Sequence, residues 1–338
     1  MEPVPEKPSV TLRRLIDGYQ VTQAIHVAAT LGIADHLQGG PRSSDELAAI
    51  TQTHPRTLYR LLRALSSVDV FHEEADHHFA LTPIGACLCA DAPESLRPWA
   101  AFVGRPYEFT AWAHLLHSAQ TGDNAMRHVH GMSGWEYRER HPEEGAVFDR
   151  AMTGSSRIFA PAVLRAYDFG QYGTVVDVGG GHGAFLAAIL SKHPAMHGVL
   201  FDQPHVAEGA ASVLQAAGVR DRCQIIEGSF FDSLPPGGDA YLLKFILHDW
   251  EDEEATAILR SCRQAMDERG TLVVVERIVG RPNEGALINF ADLNMLVGPG
   301  GQERTHQEFS QLFAASGFRL IRVVPTDSVL NVIEGRPT

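Results

Sequence analysis

The sequence predicts an α/β protein: a doubly wound, mainly parallel sheet closed by a terminal antiparallel hairpin, preceded by a mainly α winged-helix domain. Three observations predict it. After Gly170, apolar strand-like runs alternate with helical segments. One run, Val175-Val176-Asp177-Val178, breaks into Gly179-Gly180-Gly181-His182-Gly183 just before an apolar helical pattern begins at Ala184, so a tight loop sits at a helix N-terminus. The first third instead reads helix, turn, helix and two short extended runs.

Taken in order, Leu12, Leu15, Ile16, Tyr19 and Ile25 to Leu31 recur at helical spacing, with Gly32 and Gly39-Gly40 as breaks. Ser43 or Ser44 is a candidate N-cap for the segment opening Asp45-Glu46-Leu47. Thr57 to Leu65 is amphipathic through Leu58, Leu61, Leu62 and Leu65. Two extended runs between Val68 and Thr82 then flank Glu73-Glu74-Ala75-Asp76. This assigns 1–105 to a winged-helix domain and 106–338 to a second domain. Within the latter, 106–170 is a helical segment with Trp112, Trp135 and an amphipathic helix from Glu144 to Ile158. Strands follow at Val175–Val178, His197–Phe201, Gln224–Ile226, Ala240–Phe245 and Thr271–Val275. Arg319–Val324 and Val329–Glu334 form the hairpin around Pro325-Thr326-Asp327-Ser328.

Composition narrows the function classes. The 338 residues suit two domains, and 44% hydrophobic with 20% charged residues is an ordinary globular balance. Arg56, Arg60 and Arg63 would share one helix face, as in a DNA-recognition helix. The formal charge of −13 and the flanking Asp45, Glu46, Asp69, Glu73, Glu74 and Asp76 oppose phosphate binding. Nucleic acid and anionic membranes are therefore not expected as partners; self-association through these helices is. Cys87, Cys89, Cys223 and Cys262 contain no C-x-x-C pair, so they read as small buried hydrophobes of a reducing cytoplasm rather than zinc ligands or disulfides. Met1 to Ser9 lacks the apolar core of a signal peptide, and no apolar run reaches about 18 residues, so a cytoplasmic protein without a membrane span is expected.

Two stretches carry chemistry. Gly179-x-Gly181-x-Gly183-Ala184 satisfies the dinucleotide fingerprint, so NAD is one reading of it. Asp177 inside the strand end, the loop's position behind a large helical domain and the terminal hairpin argue instead for a different nucleotide-like cofactor. Asp202, at the end of the next strand, would hold ribose hydroxyls under either reading. The second stretch, Lys244-Phe245-Ile246-Leu247-His248-Asp249-Trp250, places His248 at a strand end, where doubly wound folds bind ligands. An imidazole with a pKa of about 6.5 suits proton removal from a hydroxyl whose pKa is about 10. Asp249 reads as an N-cap ahead of Glu251-Asp252-Glu253-Glu254, and His182 as a loop side chain. No His or acidic run has metal-ligand spacing, so no metal is expected.

With Leu200-Phe201-Asp202-Gln203-Pro204, Gly228-Ser229-Phe230-Phe231 and Gly300-Gly301-Gln302-Glu303-Arg304-Thr305, these stretches resemble, in order and spacing, the small-molecule O-methyltransferases that use S-adenosylmethionine. That group includes acetylserotonin, caffeate and bacterial polyketide O-methyltransferases, and the likeness covers nearly the whole chain. It implies a homodimer with a Rossmann-like catalytic domain that methylates a hydroxyl of a small aromatic or polyketide-like secondary metabolite and releases S-adenosylhomocysteine. The resemblance puts Asp177, Gly179 and Gly181 at the methionine part of the cofactor, Asp202 at the ribose, Ser229 and Phe230 at the adenine, and Lys244 beside them. The family usually has Asp where Ser229 stands. A neutral hydroxyl is weaker by about 1 kcal/mol as an acceptor for the adenine amine. The resemblance makes His248 the general base, with Glu276 and Glu303 orienting it. It places Phe148 and Met152 near the transferred methyl, and Asp292, Asn294 and Met295 toward the acceptor. Relatives diverted to chemistry such as hydroxylation, or a metabolite-sensing winged-helix regulator, are the alternatives.

Overall fold

Caps and apolar spacing build the first unit of the chain. The computed structural model describes residues 6–338, in two units divided between Phe109 and Thr110. Residues 1–5 of the stretch read for a signal peptide lie outside the described residues. The division falls inside the helix Pro106–Ala113, slightly beyond the 105/106 boundary read from the sequence.

Ser43 is the N-cap of the helix Ser44–Thr51, and its hydroxyl accepts from the Glu46 amide while Glu46 reaches back to the Ser43 amide. The next helix, Pro55–Ser66, buries Leu58, Leu62 and Leu65 and leaves Arg56, Arg60 and Arg63 exposed. A three-stranded antiparallel sheet follows, with His78–Leu81 between Arg42–Ser43 and Phe71–Glu73. Ile33, Leu47, Leu62, Phe71 and Phe79 close the core of this unit. The helices Pro8–Ile16 and Gly18–Leu31 leave Leu12, Leu15, Ile16 and Tyr19 more than half exposed. All four cysteines are free; Cys89, Cys223 and Cys262 are buried, but Cys87 is exposed, contrary to the expectation for all four.

The second unit is organised by seven strands: β1 (Thr174–Val178), β2 (His197–Asp202), β3 (Cys223–Glu227), β4 (Ala240–Lys244), β5 (Thr271–Glu276), β6 (Phe318–Pro325) and β7 (Asn331–Pro337). Their spatial order is β6-β7-β5-β4-β1-β2-β3. The first five are parallel, and β7 pairs antiparallel with both β5 and β6, as the hairpin reading required. Apolar side chains alternate between two cores. Val175, Leu242 and Val273 join one; Val176, Leu243 and Val274 join the other. The chain order reverses between β1 and β4, the switch point at which open α/β sheets bind ligands beyond their carboxyl ends. The amphipathic helix is longer than its apolar pattern indicated, Pro142–Ala166, and accommodates Pro161. Among the described residues no helix is long and apolar enough to cross a membrane.

Candidate active site

Four polar side chains stand at the carboxyl ends of four adjoining strands: Asp202 on β2, Asp177 on β1, Lys244 on β4 and Glu276 on β5. Beyond β1, Gly179, Gly181 and Gly183 all adopt positive φ, a conformation that costs a side-chain-bearing residue about 1–2 kcal/mol. A Cβ on Gly179 would lie 2.5 Å from Ile246 Cδ1, and one on Gly180 would lie 2.5 Å from Asp177 Oδ2. The loop is therefore bare backbone resting on the strand ends. The Gly181 amide donates to Asp202 Oδ2 (2.7 Å) and the Gln203 amide to Asp202 Oδ1 (2.7 Å), which leaves further lone pairs on that carboxylate for hydroxyl donors. Asp177 is 1% exposed, and its Oδ2 has no hydrogen-bond partner. Burial pushes this acid up to about 7, against the pull of Lys244, and pulls Lys244 down to about 8. An unpartnered buried carboxyl beneath a glycine cradle, with a ribose-type acid beside it, fits a cationic, nucleoside-bearing cofactor.

Phe230 lies against this loop, and Phe230, Phe231 and Trp250 meet edge to face at 4.8–6.0 Å. Ser229 Oγ already accepts from the Phe231 amide (3.2 Å). Trp250 stacks on Trp135 (6.1 Å), which in turn meets Phe148 edge-on (5.8 Å). Trp135 Nε1 is buried without a hydrogen-bond partner. The helix that carries Phe148, with half-buried Met152 one turn on, is thus joined to the cofactor side by a run of aromatic rings.

The second cluster surrounds His248, which is 7% exposed. β4 ends at Lys244, and Phe245 takes a positive φ of 57° that turns the chain away from the sheet. Glu276 Oε1 accepts the Ile246 and Leu247 amides freed by that turn (2.9 and 3.0 Å). His248 Nδ1 then lies 3.0 Å from Glu303 Oε1 and 3.5 Å from Glu276 Oε2. Arg277 donates to the same Glu303 oxygen (2.7 Å), and Asp292 Oδ1 accepts the Glu303 amide (2.8 Å). Phe245 stacks on the imidazole (5.1 Å, 12°). Burial opposes a charge on His248, but Glu276, Asp249 and Glu303 outweigh it and hold the imidazolium up to about 9. Burial also raises Glu276, whereas His248 and Arg277 hold Glu303 below its ordinary range despite its burial.

The structure adds contacts to several sequence expectations for this site and overturns one, the helix cap at Asp249. Glu303 makes the direct hydrogen bond to the imidazole; Glu276 mainly anchors the turn that carries it. Asp249 is no helix cap, since the following helix starts at Asp252 with Glu251 in the cap position; its Oδ1 instead sits 3.5 Å from His248 Nε2. Asp292 holds the Glu303 backbone, Asn294 accepts from Trp112 Nε1 (3.0 Å), and Met295 is buried. No sequence run had metal-ligand spacing, yet His248, Glu276 and Glu303 bring ligand atoms within 4.8 Å of one another in space. Glu276 Oε1 accepts two amides and Glu303 Oε1 binds Arg277 and the imidazole, while Glu276 Oε2 and Glu303 Oε2 are buried without a hydrogen-bond partner. Arg277 carries no sequence signal, and Arg304 stands in the Gly300–Thr305 stretch with no role that the sequence assigns. His182 lies 3.7 Å from Asp149, beside Thr153.

Comparison with known proteins agrees with this arrangement. Residues 112–319 match the O-methyltransferase domain and residues 13–91 the O-methyltransferase dimerisation domain. The chain is 45% identical over 329 residues to phenazine O-methyltransferase PhzM of Lysobacter antibioticus, covering 97% of this chain and 96% of the relative. It is 35% identical over 326 residues to aclacinomycin 10-hydroxylase RdmB of Streptomyces purpurascens, covering 95% and 87%. The solved structure of LaPhzM matches with a TM-score of 0.95 at 45% identity, over 98% of this chain and 100% of that one. NcsB1, an O-methyltransferase from neocarzinostatin biosynthesis solved with S-adenosylmethionine and 2-hydroxy-5-methyl naphthoic acid, matches with a TM-score of 0.81 at 33% identity, over 94% and 96%. This chain belongs to the O-methyltransferase family, enzymes whose methyl donor is S-adenosylmethionine.

Proposed function

We propose that the protein methylates a hydroxyl on a planar, ring-fused or aromatic small molecule, with His248 as general base. The observation that carries this is the bond from His248 Nδ1 to Glu303. With Nδ1 engaged, Nε2, which has Asp249 Oδ1 3.5 Å away but no hydrogen bond to it, is the nitrogen that takes the hydroxyl proton, and the buried carboxylates stabilise the imidazolium that results. Bound S-adenosylmethionine supplies an electrophilic methyl with a neutral leaving group. Asp177, Gly179 and Gly181 hold its methionine end, Asp202 its ribose hydroxyls, and Ser229 and Phe230 its adenine, with Lys244 beside Asp177. Glu303 and Glu276 fix the imidazole; Phe148, Met152, Asp292, Asn294 and Met295 border the acceptor. The aromatic run Trp135, Phe148 and Trp250 supports a flat acceptor rather than a flexible one. This also agrees with the hydroxyl-bearing aromatic acid held by NcsB1.

The test pairs binding with turnover. Calorimetry is expected to find saturable binding of S-adenosylhomocysteine and none of NAD. Incubation with methyl-labelled S-adenosylmethionine and hydroxyphenazines, hydroxynaphthoates and hydroxybenzoates is expected to label at least one acceptor. The likeness to a hydroxylase defines the rival: a product heavier by an oxygen atom rather than by a methylene would overturn methylation.

The matched dimerisation domain and the exposed Leu12, Leu15, Ile16 and Tyr19 support a homodimer; the net charge of −13 supports the reading that nucleic acid is not a partner, and a cytoplasmic location is part of the same proposal. We read the helix–helix–sheet order of this unit as a winged helix put to self-association. Light scattering is expected to give twice the chain mass. A monomer, or retention of a DNA duplex at low salt that is lost on removing Arg56, Arg60 and Arg63, would overturn this reading.

A further inference from the structure

We propose that Arg304 is the positioning residue that sets the place of His248, by gripping the main chain at both ends of the turn that carries it. The proposal rests on the reading of His248 as base and goes beyond it.

Arg304 is 1% exposed, among the largest fully buried side chains of the protein. Its guanidinium donates from Nη1 to the Leu247 carbonyl (2.7 Å) and from Nη2 to the Trp250 carbonyl (2.8 Å). His248 and Asp249 are the two residues between those carbonyls. Nε donates to Asp252 Oδ1 (2.9 Å), two residues further along. A planar fork with fixed donors spans two acceptors at once; an ammonium on a flexible stem cannot hold both in one geometry.

Cost makes this more than a staple. A guanidinium stays charged when buried, and removing it from water is unfavourable unless its partners compensate. Its one carboxylate partner, Asp252, has a side chain 71% exposed, so screening weakens that pair. The burial is balanced chiefly by neutral carbonyls, an arrangement that an apolar side chain would replace at lower cost if filling space were the only need. The neighbours of Arg304 also converge on the same turn. Glu303, the preceding residue, bonds the imidazole itself. A Cβ on Gly301 would lie 2.3 Å from both the His248 carbonyl oxygen and the Trp250 amide, so that segment presses directly on the turn. Arg304 and Thr305 pair in parallel with Ile278 and Val279, just after Glu276 and Arg277. Two consecutive residues, Glu303 just before that strand and Arg304 at its start, therefore orient the imidazole and hold its backbone.

A displacement of about 1 Å in a reacting group costs on the order of 10²-fold in rate. The test uses Arg304→Lys and Arg304→Met, each alone and combined with His248→Ala. Alone, each variant is expected to bind S-adenosylhomocysteine within about threefold of the parent, since Arg304 bonds to none of the residues read as cofactor ligands. With a hydroxyaromatic turned over by the parent enzyme, kcat is expected to fall about tenfold in the lysine variant and about 10²-fold in the methionine variant, with KM little changed. In the His248→Ala background neither change is expected to lower the residual rate further, because residues that act as a unit are non-additive. Nitrogen-15 spectra, assigned with His248→Ala, read the imidazole without any acceptor; its titration is expected to move by at least about half a pH unit in Arg304→Lys.

Equal losses in both backgrounds would make Arg304 a contributor to the fold alone. So would failure of both variants to fold, or unaltered kcat and imidazole titration in folded protein. Any of these overturns the proposal. Full activity in His248→Ala by itself overturns the base reading, which separates the two failures.

Discussion

Replacing His248 with alanine is expected to lower kcat for methyl transfer by about 10²–10⁴-fold, the usual contribution of a positioned acid or base, while S-adenosylhomocysteine affinity stays within about threefold. The two halves of the result come from separate parts of the site. His248 lies on the turn after β4 and bonds to Glu303, whereas the groups read as cofactor ligands lie on the glycine loop, at the ends of β1, β2 and β4, and at Ser229 and Phe230 beyond β3, and none of them bonds to the imidazole. The methyl donor already carries a good leaving group, so alignment alone gives some rate, and the residue of activity in the variant measures it. The size of the loss should follow the acceptor: a phenol already ionised at the assay pH has no proton to give up and should lose least. A loss below about tenfold with an un-ionised phenol would show that proton removal is not assisted by this residue. A loss of S-adenosylhomocysteine affinity in parallel would instead show that the turn and the glycine loop form one cooperative unit.

How far the sequence discloses this site depends on whether a role is written into local pattern or into packing. Asp177, Asp202, Lys244 and Glu276 each end an apolar run, and a polar residue at a strand's carboxyl end can be recognised without neighbours. The seven strands and the antiparallel hairpin follow from the same signal. Arg277 and Arg304 carry no such mark. Their partners lie far along the chain, Glu303 for one and the carbonyls of Leu247 and Trp250 for the other, and only the pairing of Arg304–Thr305 with Ile278–Val279 brings them together. Asp249 misleads for a related reason. An Asp before four acidic residues has the pattern of a cap, but the strained Phe245 and the 3₁₀ turn that follows rotate it toward the imidazole instead. Asp292 and Asn294 were read as facing the acceptor because of the family resemblance; their hydrogen bonds to the Glu303 amide and to Trp112 are features of tertiary packing.

The pH dependence is the second large expected effect. The base must be neutral to act, yet Glu276, Asp249 and Glu303 outweigh the opposing effect of burial and hold the imidazolium up to about 9. The logarithm of kcat/KM is therefore expected to rise with unit slope from about pH 6 toward 9, a change of nearly 10³-fold, and then to level off. Glu303→Gln removes one of the three charges and the charged hydrogen-bond acceptor, so the rise should end at lower pH and the plateau should fall, because a weaker base remains. The same titration acts on stability. A histidine whose folded pKa lies above its unfolded value of about 6.5 stabilises the fold fully below 6.5 and loses that stabilisation as pH rises through about 9; the displacement corresponds to about 3 kcal/mol. Glu276, raised by burial, acts in the same direction: its contribution is present at acid pH and is lost as pH rises through its folded value. The urea midpoint of the wild type should thus decline between about pH 6.5 and 8; above that Lys244, lowered by burial to about 8, contributes in the opposite sense and offsets the further loss. In His248→Ala the decline should move to the acid side, where Glu276, Glu303 and Asp249 ionise without their cation. A wild-type midpoint that is flat from pH 6.5 to 8, together with a rate profile already level at pH 7, would mean that the imidazole is neutral in the resting enzyme and that the carboxylates around it share a proton instead.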